Sequence, residues 1–319
     1  MLYEERGLVR TRALRGSQFM IPIEMLDAVK SASDRRGWHG EYVDKIIDVE
    51  GRKRLTREVL AVMAGRVMTA REIRVELGLE GPRAEALKYL MAMLSDQRHI
   101  ASAAVNGGWR SNQYGYAVWE EWLPGAPPRD LDSEESRATI ANWYLTGHGP
   151  GTVDDFKWWS GLNKTNARAA LEDSDGVTVD TELGEMYDLE ERAGADAAQG
   201  LRLLPVWDTA ILTQAGRRRM VSEEHYRYVY DRDGNATSTI VLDGAVVGIW
   251  DRQGDDTHLQ VKASPFGRFD ADSWKGVESE ARVIATALGA GDVEIVRVKK
   301  PTDLHEAGRN RFLSPLSGP

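Results

Sequence analysis

Residues 55–97 read LTREVLAVMAGRVMTAREIRVELGLEGPRAEALKYLMAMLSDQ. In the first thirteen, apolar residues recur at three- and four-residue spacing, with Leu60, Met63 and Val67 as inward candidates, which predicts an amphipathic helix. Thr69 stands just before AREIRVELGL, where a hydroxyl can accept a bond from the first turn of a helix. The Gly81-Pro82-Arg83 turn leads to a third helix on which Ala86, Leu87, Leu90, Met91 and Leu94 share a face. Strand-like HIASAAV (99–105), a Gly107-Gly108 turn and WRSNQYGYAVW (109–119) follow. Three helices and then a hairpin is the order of a winged helix.

The same order returns beyond the linker PGAPPRD (124–130). SRATIANWYLTG, TVDDFKWWSG and NKTNARAALED read as three helices, and Val177 to Leu189 as a hairpin. Ahead of the first unit, LVRTRALRGSQFMIPI (8–23) reads as two strands joined at Arg15-Gly16-Ser17. Helices are expected over 22–32 and 42–48. From residue 201 the texture changes to short strands: LRLLPVWDTAIL, HYRYVYD, TSTIVLD, AVVGIWD and HLQVKASPF. Asp233-Gly234 and Asp243-Gly244 sit between them as turns. A helix near 273–288 and the strand VEIVRVK complete the pattern, and the tail 300–319 reads as poorly ordered. The expected fold class is α+β, with tandem winged helices plus a small antiparallel β-barrel. The expected divisions are 1–54, 55–123, 131–200, 201–299 and the tail.

Composition narrows the chemistry. The chain has 319 residues, 42% hydrophobic and 29% charged, which is the balance of an ordinary globular protein. It has no cysteine, so disulfides, thiolate metal sites and cysteine nucleophiles are excluded. The six histidines never fall three or four apart, and no metal or cofactor is implied. Gly147-His148-Gly149-Pro150-Gly151 lacks the Lys-Ser/Thr ending of a phosphate loop, and Asp231-Arg232-Asp233-Gly234-Asn235 reads as a turn rather than a calcium loop. The charged start MLYEERGLVR is no signal peptide and no apolar run could span a bilayer, so a cytoplasmic protein without a membrane is expected. Net charge is −9, with about +2 in the first 128 residues and about −11 in the rest. Acidity of this kind argues against a non-specific DNA coater, but a binding groove needs only local positive potential.

Three blocks carry a family resemblance. YLTGHGPGTVDDFKWWSGLNKTNARAAL resembles the "GPAT…DFaWWsGL…A..AL" signature of the winged-helix family that includes the AlkZ-type DNA glycosylases. LVRTRALRGSQFMIP resembles its "LvRtwamRGTlHlvP". LLPVWDTAIL…GRRRM…VLDGAVVGIW resembles its "LLPefDpyllg..dR…vlvDGrvvGtW". The likeness covers about residues 6 to 290. It implies tandem winged helices and a barrel around a groove for double-stranded DNA, and excision of alkylated bases or unhooking of cross-links. The family's Gln-x-Gln or Gln-x-Asp motif, expected ahead of the hairpin and nowhere else, is not there: residues 1–17 hold no glutamine. Ser17-Gln18-Phe19 replaces the family's Thr-Leu-His, which reads as a truncated or diverged member.

Hydrolysis of an N-glycosidic bond needs a group that orients water at an oxocarbenium-like centre. Gln18 and Asp208 are the remaining candidates, each with a structural alternative: a wing amide for Gln18 and a turn residue for Asp208. For DNA contact the third helices offer Arg83, Lys88, Lys164 and Arg168, and the wing offers Trp109 and Arg110. The hairpin offers Arg12 and Arg15, and a loop offers Arg217, Arg218 and Arg219. Of Trp158 and Trp159, adjacent on a helix and so about 100° apart, one is expected in the core. Leu8, Leu14, Phe19 and Ile21 lack an evident cover, so an exposed apolar patch or self-association is expected. The competing readings are a non-enzymatic DNA binder or regulator, and a protein-interaction module.

Overall fold

The computed structural model describes residues 3–32, 38–106, 113–192, 199–254 and 257–316. The chain divides into two compact units, one of residues 1–144 and 160–176, the other of residues 145–159 and 177–319.

The first unit opens with an antiparallel hairpin, β1 (Leu8–Arg12) and β2 (Gln18–Pro22), in which Arg12 faces Gln18. Arg15 takes a left-handed conformation (φ 58°) and Gly16 follows at 73°, which turns the chain in a short space. Helices α1 (Leu26–Ala32), α2 (Trp38–Ile46) and α3 (Val49–Met63) come next. The two-residue strand β3 (Met68–Thr69) leads into α4 (Ala70–Glu76). Thr69 caps that helix as its sequence predicts. Its hydroxyl accepts from the Glu72 amide while Glu72 accepts from the Thr69 amide. Helix α5 (Gly81–Asp96) then presents Ala86, Leu87, Leu90, Met91 and Leu94 to a core shared with Leu55, Val59, Met63, Ile73 and Ile100.

Strands β4 (Ile100–Asn106) and β5 (Gln113–Val118) pair antiparallel, with a bulge between Ser102 and Ala104. Strand β5 pairs on its other edge with β3, which gives a three-stranded sheet in the order β3-β5-β4. The short helix α6 (Trp119–Trp122) buries Trp119, whose Nε1 donates to the Ala126 carbonyl. The segment read as a linker is thereby strapped down. The Arg129 amide and guanidinium both donate to Asp27, and the Leu131 amide donates to Ser31.

The apolar face of the hairpin is not left open. Leu14 and Ile21 are buried, Leu8 and Phe19 are half-buried, and β1 packs on α5 and β4 of the same unit. Met20 is the exposed member of the hairpin. No apolar patch forms from the four residues expected to build one.

In chain order there follow α7 (Ser133–His148), α8 (Val153–Ser160), α9 (Lys164–Glu172) and the antiparallel pair β6 (Gly176–Thr181) and β7 (Gly184–Leu189). The boundary between the units crosses this stretch.

The second unit contains β8 (Leu201–Leu204), α10 (Thr209–Leu212), α11 (Tyr226–Val229), β9 (Thr239–Leu242), β10 (Ala245–Gly254), β11 (His258–Pro265), α12 (Ala271–Leu288) and β12 (Asp292–Arg297). The expected barrel does not close. The strands form an open five-stranded sheet in the order β12-β11-β10-β9-β8, antiparallel except for the parallel pair β11–β12. A parallel pair needs a crossover rather than a hairpin, and α12 provides it.

Side-chain alternation explains why the sheet stays open: it is covered on both faces. Ile240, Trp250, Leu259 and Val261 pack on Val277, Ala281 and Ala285 of α12. Val241, Val246 and Ile249 point the other way, to Ile211, Val221, Val229, Tyr230 and Leu316. Asp243 (φ 49°) and Gly244 (φ 82°) make the two-residue turn between β9 and β10 that the Asp-Gly pair predicts.

The described residues of the tail pack into this unit. Leu304, Phe312 and Leu316 are buried, and Thr237 Oγ1 donates to the Phe312 carbonyl at 2.6 Å. Its Pro, Gly and Ser content hides three apolar anchors. HYRYVYD is no strand: its aromatic alternation lies on a short 3-10 turn and α11.

Candidate nucleic-acid interface

The loop between α10 and α11 carries the arginine triplet, and a buried carboxylate holds it. Asp155 lies in the first turn of α8, where Thr152 O–H and N–H both donate to it, at 2.8 and 3.0 Å. Its other oxygen accepts from the Ala215 amide at 2.7 Å, and the Arg219 guanidinium reaches Oδ2 at 3.1 Å. Arg219 also donates to the Pro150 carbonyl at 2.8 Å. Both terminal nitrogens of its guanidinium are therefore engaged within the unit. The Arg218 side chain lies outside the described residues.

Arg217 is presented differently. Its guanidinium sits 4.8 Å from the Trp158 ring centre and 4.8 Å from that of Tyr230, and it donates to the Tyr226 hydroxyl at 3.2 Å. Aromatic faces hold a guanidinium by its quadrupole while leaving its N–H fork able to bond. Burial pushes the Tyr230 hydroxyl far above its ordinary range, against the pull of Arg217, so it stays neutral. Gly234 (φ 83°) lies directly against this arginine. A Cβ there would come within 2.6 Å of its guanidinium.

Around Arg217 opens a cleft of about 780 Å³, walled by Trp158, Tyr226, Arg227, Arg232, Asp233 and His305. That is the size range of small-molecule pockets. Trp158 is thus not the core tryptophan: it and Trp159 are both half-buried, Trp158 Nε1 donates to the Leu212 carbonyl, and Phe156 is buried instead. The aromatic bracket and the Asp155 tether went unread in the sequence. The tyrosines of HYRYVYD were a signal, masked by their strand-like alternation.

The other candidates are scattered. Arg83 pairs with Glu58, and Arg168 lies 4.0 Å from Glu172 one turn on. Lys164 is exposed in the first turn of α9. Trp109 and Arg110 lie outside the described residues. Arg15 packs against Gly161, where a Cβ would fall 2.8 Å from its Cγ. Arg12 donates to the Gly16 carbonyl at 2.9 Å. Lys88 projects from α5 near the Tyr89 ring.

Of the two water-orienting candidates, Asp208 caps α10 by accepting from the Ala210 amide at 2.9 Å. Gln18 is exposed on β2, and its Oε1 accepts from Arg10 at 2.6 Å. The expectation that no copy of the family tripeptide stands elsewhere needs correcting. Gln253-Gly254-Asp255 has the Gln-x-Asp pattern. It falls where β10 turns toward β11, with Gln253 opposite Gln260, and Asp255 lies outside the described residues.

No helix among the described residues is long and apolar enough to cross a membrane. Among known proteins, the interstrand DNA cross-link repair glycosylase of Streptomyces sahachiroi is 26% identical over 305 residues, which cover 91% of this chain and 81% of that protein. The solved structure of the Streptomyces sahachiroi DNA glycosylase AlkZ has a similar fold, with a TM-score of 0.72 at 22% identity over 92% of this chain and 82% of that one. The sequence profile of the family described as DNA glycosylase AlkZ-like matches residues 1–287, so this chain belongs to the AlkZ-like DNA glycosylase family.

Proposed function

We propose that this protein binds duplex DNA and hydrolyses the N-glycosidic bond of alkylated bases, including bases joined in an interstrand cross-link. The observation that carries this is the family match over residues 1–287. The order α3-β3-α4-α5-β4-β5, with β3 at the edge of the hairpin sheet, supports reading 55–123 as a winged helix. The order α7-α8-α9-β6-β7 supports the same reading of 131–200.

In the reaction a water oxygen bonds to C1′ as the C1′–N bond breaks. Its electron pair leaves with the base, and the surplus proton passes to solvent. A base alkylated at N7 is already cationic, so it departs neutral without an acid. What the protein must supply is DNA grip, base extrusion and an oriented water. Arg217, bracketed by aromatic rings in the wall of its cleft, supports a backbone contact there. Gln18 and Asp208 are the two water-orienting candidates: the Asp208 carboxylate caps a helix, and the Gln18 oxygen accepts from Arg10 on an exposed strand position.

The test is release of 7-methylguanine from a duplex carrying one such base, with the free base measured by chromatography. Release above spontaneous depurination that falls at least tenfold in Gln18→Ala supports the reading. A second reading, DNA binding without chemistry, is favoured by the state of both water-orienting candidates, since Asp208 caps a helix and the Gln18 oxygen accepts from Arg10. It predicts salt-sensitive binding with no base release.

A further inference from the structure

Three elements of the first unit turn one face each toward a common space. On β1, Arg10 and Arg12 are two apart and share a face, and Gln18 sits across from Arg12 on β2. On α5, Lys88, Met91, Ala92 and Ser95 follow the helical repeat. On the sheet, Ser102 of β4 lies directly opposite Tyr116, just before the bulge, with Tyr114 two residues along. Together they enclose a cavity of about 120 Å³. That is well under the roughly 300 Å³ at which pockets for whole small molecules begin, and it suits a single polyatomic group.

The chemistry of the wall is one-sided. Among the described residues three cations line it and no carboxylate does, in a chain with 50 acidic and 41 basic residues. Among the described residues none of the three pairs with an acid. Arg10 stacks on Tyr114 at 3.5 Å and bonds Gln18, Arg12 bonds a carbonyl, and Lys88 lies near Tyr89. The Arg10 and Arg12 charges reach Tyr116, opposing the rise that burial gives its hydroxyl. Ser102 is the second observation. It is 8% exposed, and its Oγ is buried with no hydrogen-bond partner, a costly state for a hydroxyl.

We propose that this cavity binds one phosphate group, with Arg10, Arg12 and Lys88 supplying charge and Ser102 the buried donor. The source is a DNA backbone diester or a phosphate monoester, either free or at a strand end. The diester and the strand end rest on the DNA reading above, and free phosphate does not.

The first experiment follows the thermal midpoint of the full chain in rising sodium phosphate against sodium chloride at equal ionic strength. A saturating rise in phosphate alone is expected. It should be at least halved in Lys88→Gln and need roughly fivefold more phosphate in Ser102→Ala. Arg10→Lys keeps the charge without the planar fork and is expected to fall between wild type and Lys88→Gln. The midpoint of each variant in chloride reports its folding. Equal shifts in wild type and Lys88→Gln, or equal shifts in both salts, overturn the proposal.

The second experiment asks whether phosphate displaces labelled duplexes with and without a 5′-phosphate. Displacement of both, lost in Lys88→Gln, supports the backbone diester; displacement of the 5′-phosphorylated duplex alone supports the terminal monoester. A saturating midpoint shift with no duplex binding supports free phosphate and counts against the DNA reading, leaving the cavity in place.

Discussion

At Asp155 one carboxylate joins a helix start to a distant loop. Thr152, Ala215 and Arg219 all reach it, and its side chain is 4% exposed. Removing one partner of a buried pair leaves the other charge uncompensated, so Asp155→Ala is expected to cost about 3 kcal/mol in urea unfolding. Restoring less than about 1 kcal/mol with Arg219→Met in the same chain would show that the lost amide bonds, not the stranded charge, set the cost. Gly234 makes a finer test. At φ 83° any Cβ is strained, and here it would also drive the Arg217 guanidinium from its place between Trp158 and Tyr230. Gly234→Ala is expected to weaken duplex binding as much as Arg217→Ala, measured by anisotropy at fixed salt. Unchanged affinity would remove Arg217 from the interface.

Elements were legible in proportion to how local their signals are. The Thr69 cap and the periodic face of α5 lie within a few residues of themselves, and both stand where the sequence puts them. The Asp243-Gly244 turn is equally local. HYRYVYD misled because alternation over seven residues fits a strand as well as one helical turn. Its choice was made by Tyr230, whose hydroxyl donates to the Ile211 carbonyl. The site followed the same rule: Arg217 was visible as part of a basic run, while the rings that hold it lie on other elements. The barrel failed because only α12 decides that β12 runs parallel, and helix placement is not written in strand patterns. The tail teaches the reverse lesson about composition. Phe312 is 4% exposed against Trp207, so Phe312→Ala is expected to cost about 3 kcal/mol and lower the melting midpoint by several degrees. A neutral result would mean the tail contributes no core.

For the molecule as a whole, acid is the sensitive direction. Burial and the Arg12 charge hold His39 below the ordinary histidine range, against the pull of Asp96. The unfolded chain therefore takes that proton first, and stability falls as pH drops below about 6.5 and through the native value. At Asp27 burial pushes the carboxyl up, but hydrogen bonds from Arg98 and Arg129 outweigh it and the native value is lowered. Its contribution is complete above about pH 4 and is lost as pH falls through the native value. Urea midpoints across pH are expected to decline in two stages, with His39→Gln removing the first and Asp27→Asn the second. A single transition unaffected by either change would refute the assignment. Acidity of the chain matters here too, since its net charge of −9 becomes less negative as carboxylates protonate.

The parallel edge sets an order of events. Strands β9 to β11 can zip in succession through short connections, but β12 reaches the free edge of β11 only once α12 has been laid across the sheet. It then holds one neighbour only, and none of its six residues is buried. In deuterated solvent the amides of 292–297 are therefore expected to lose their protons long before those of β10, which is paired on both sides. The margin of this sheet breathes while its centre stays shut.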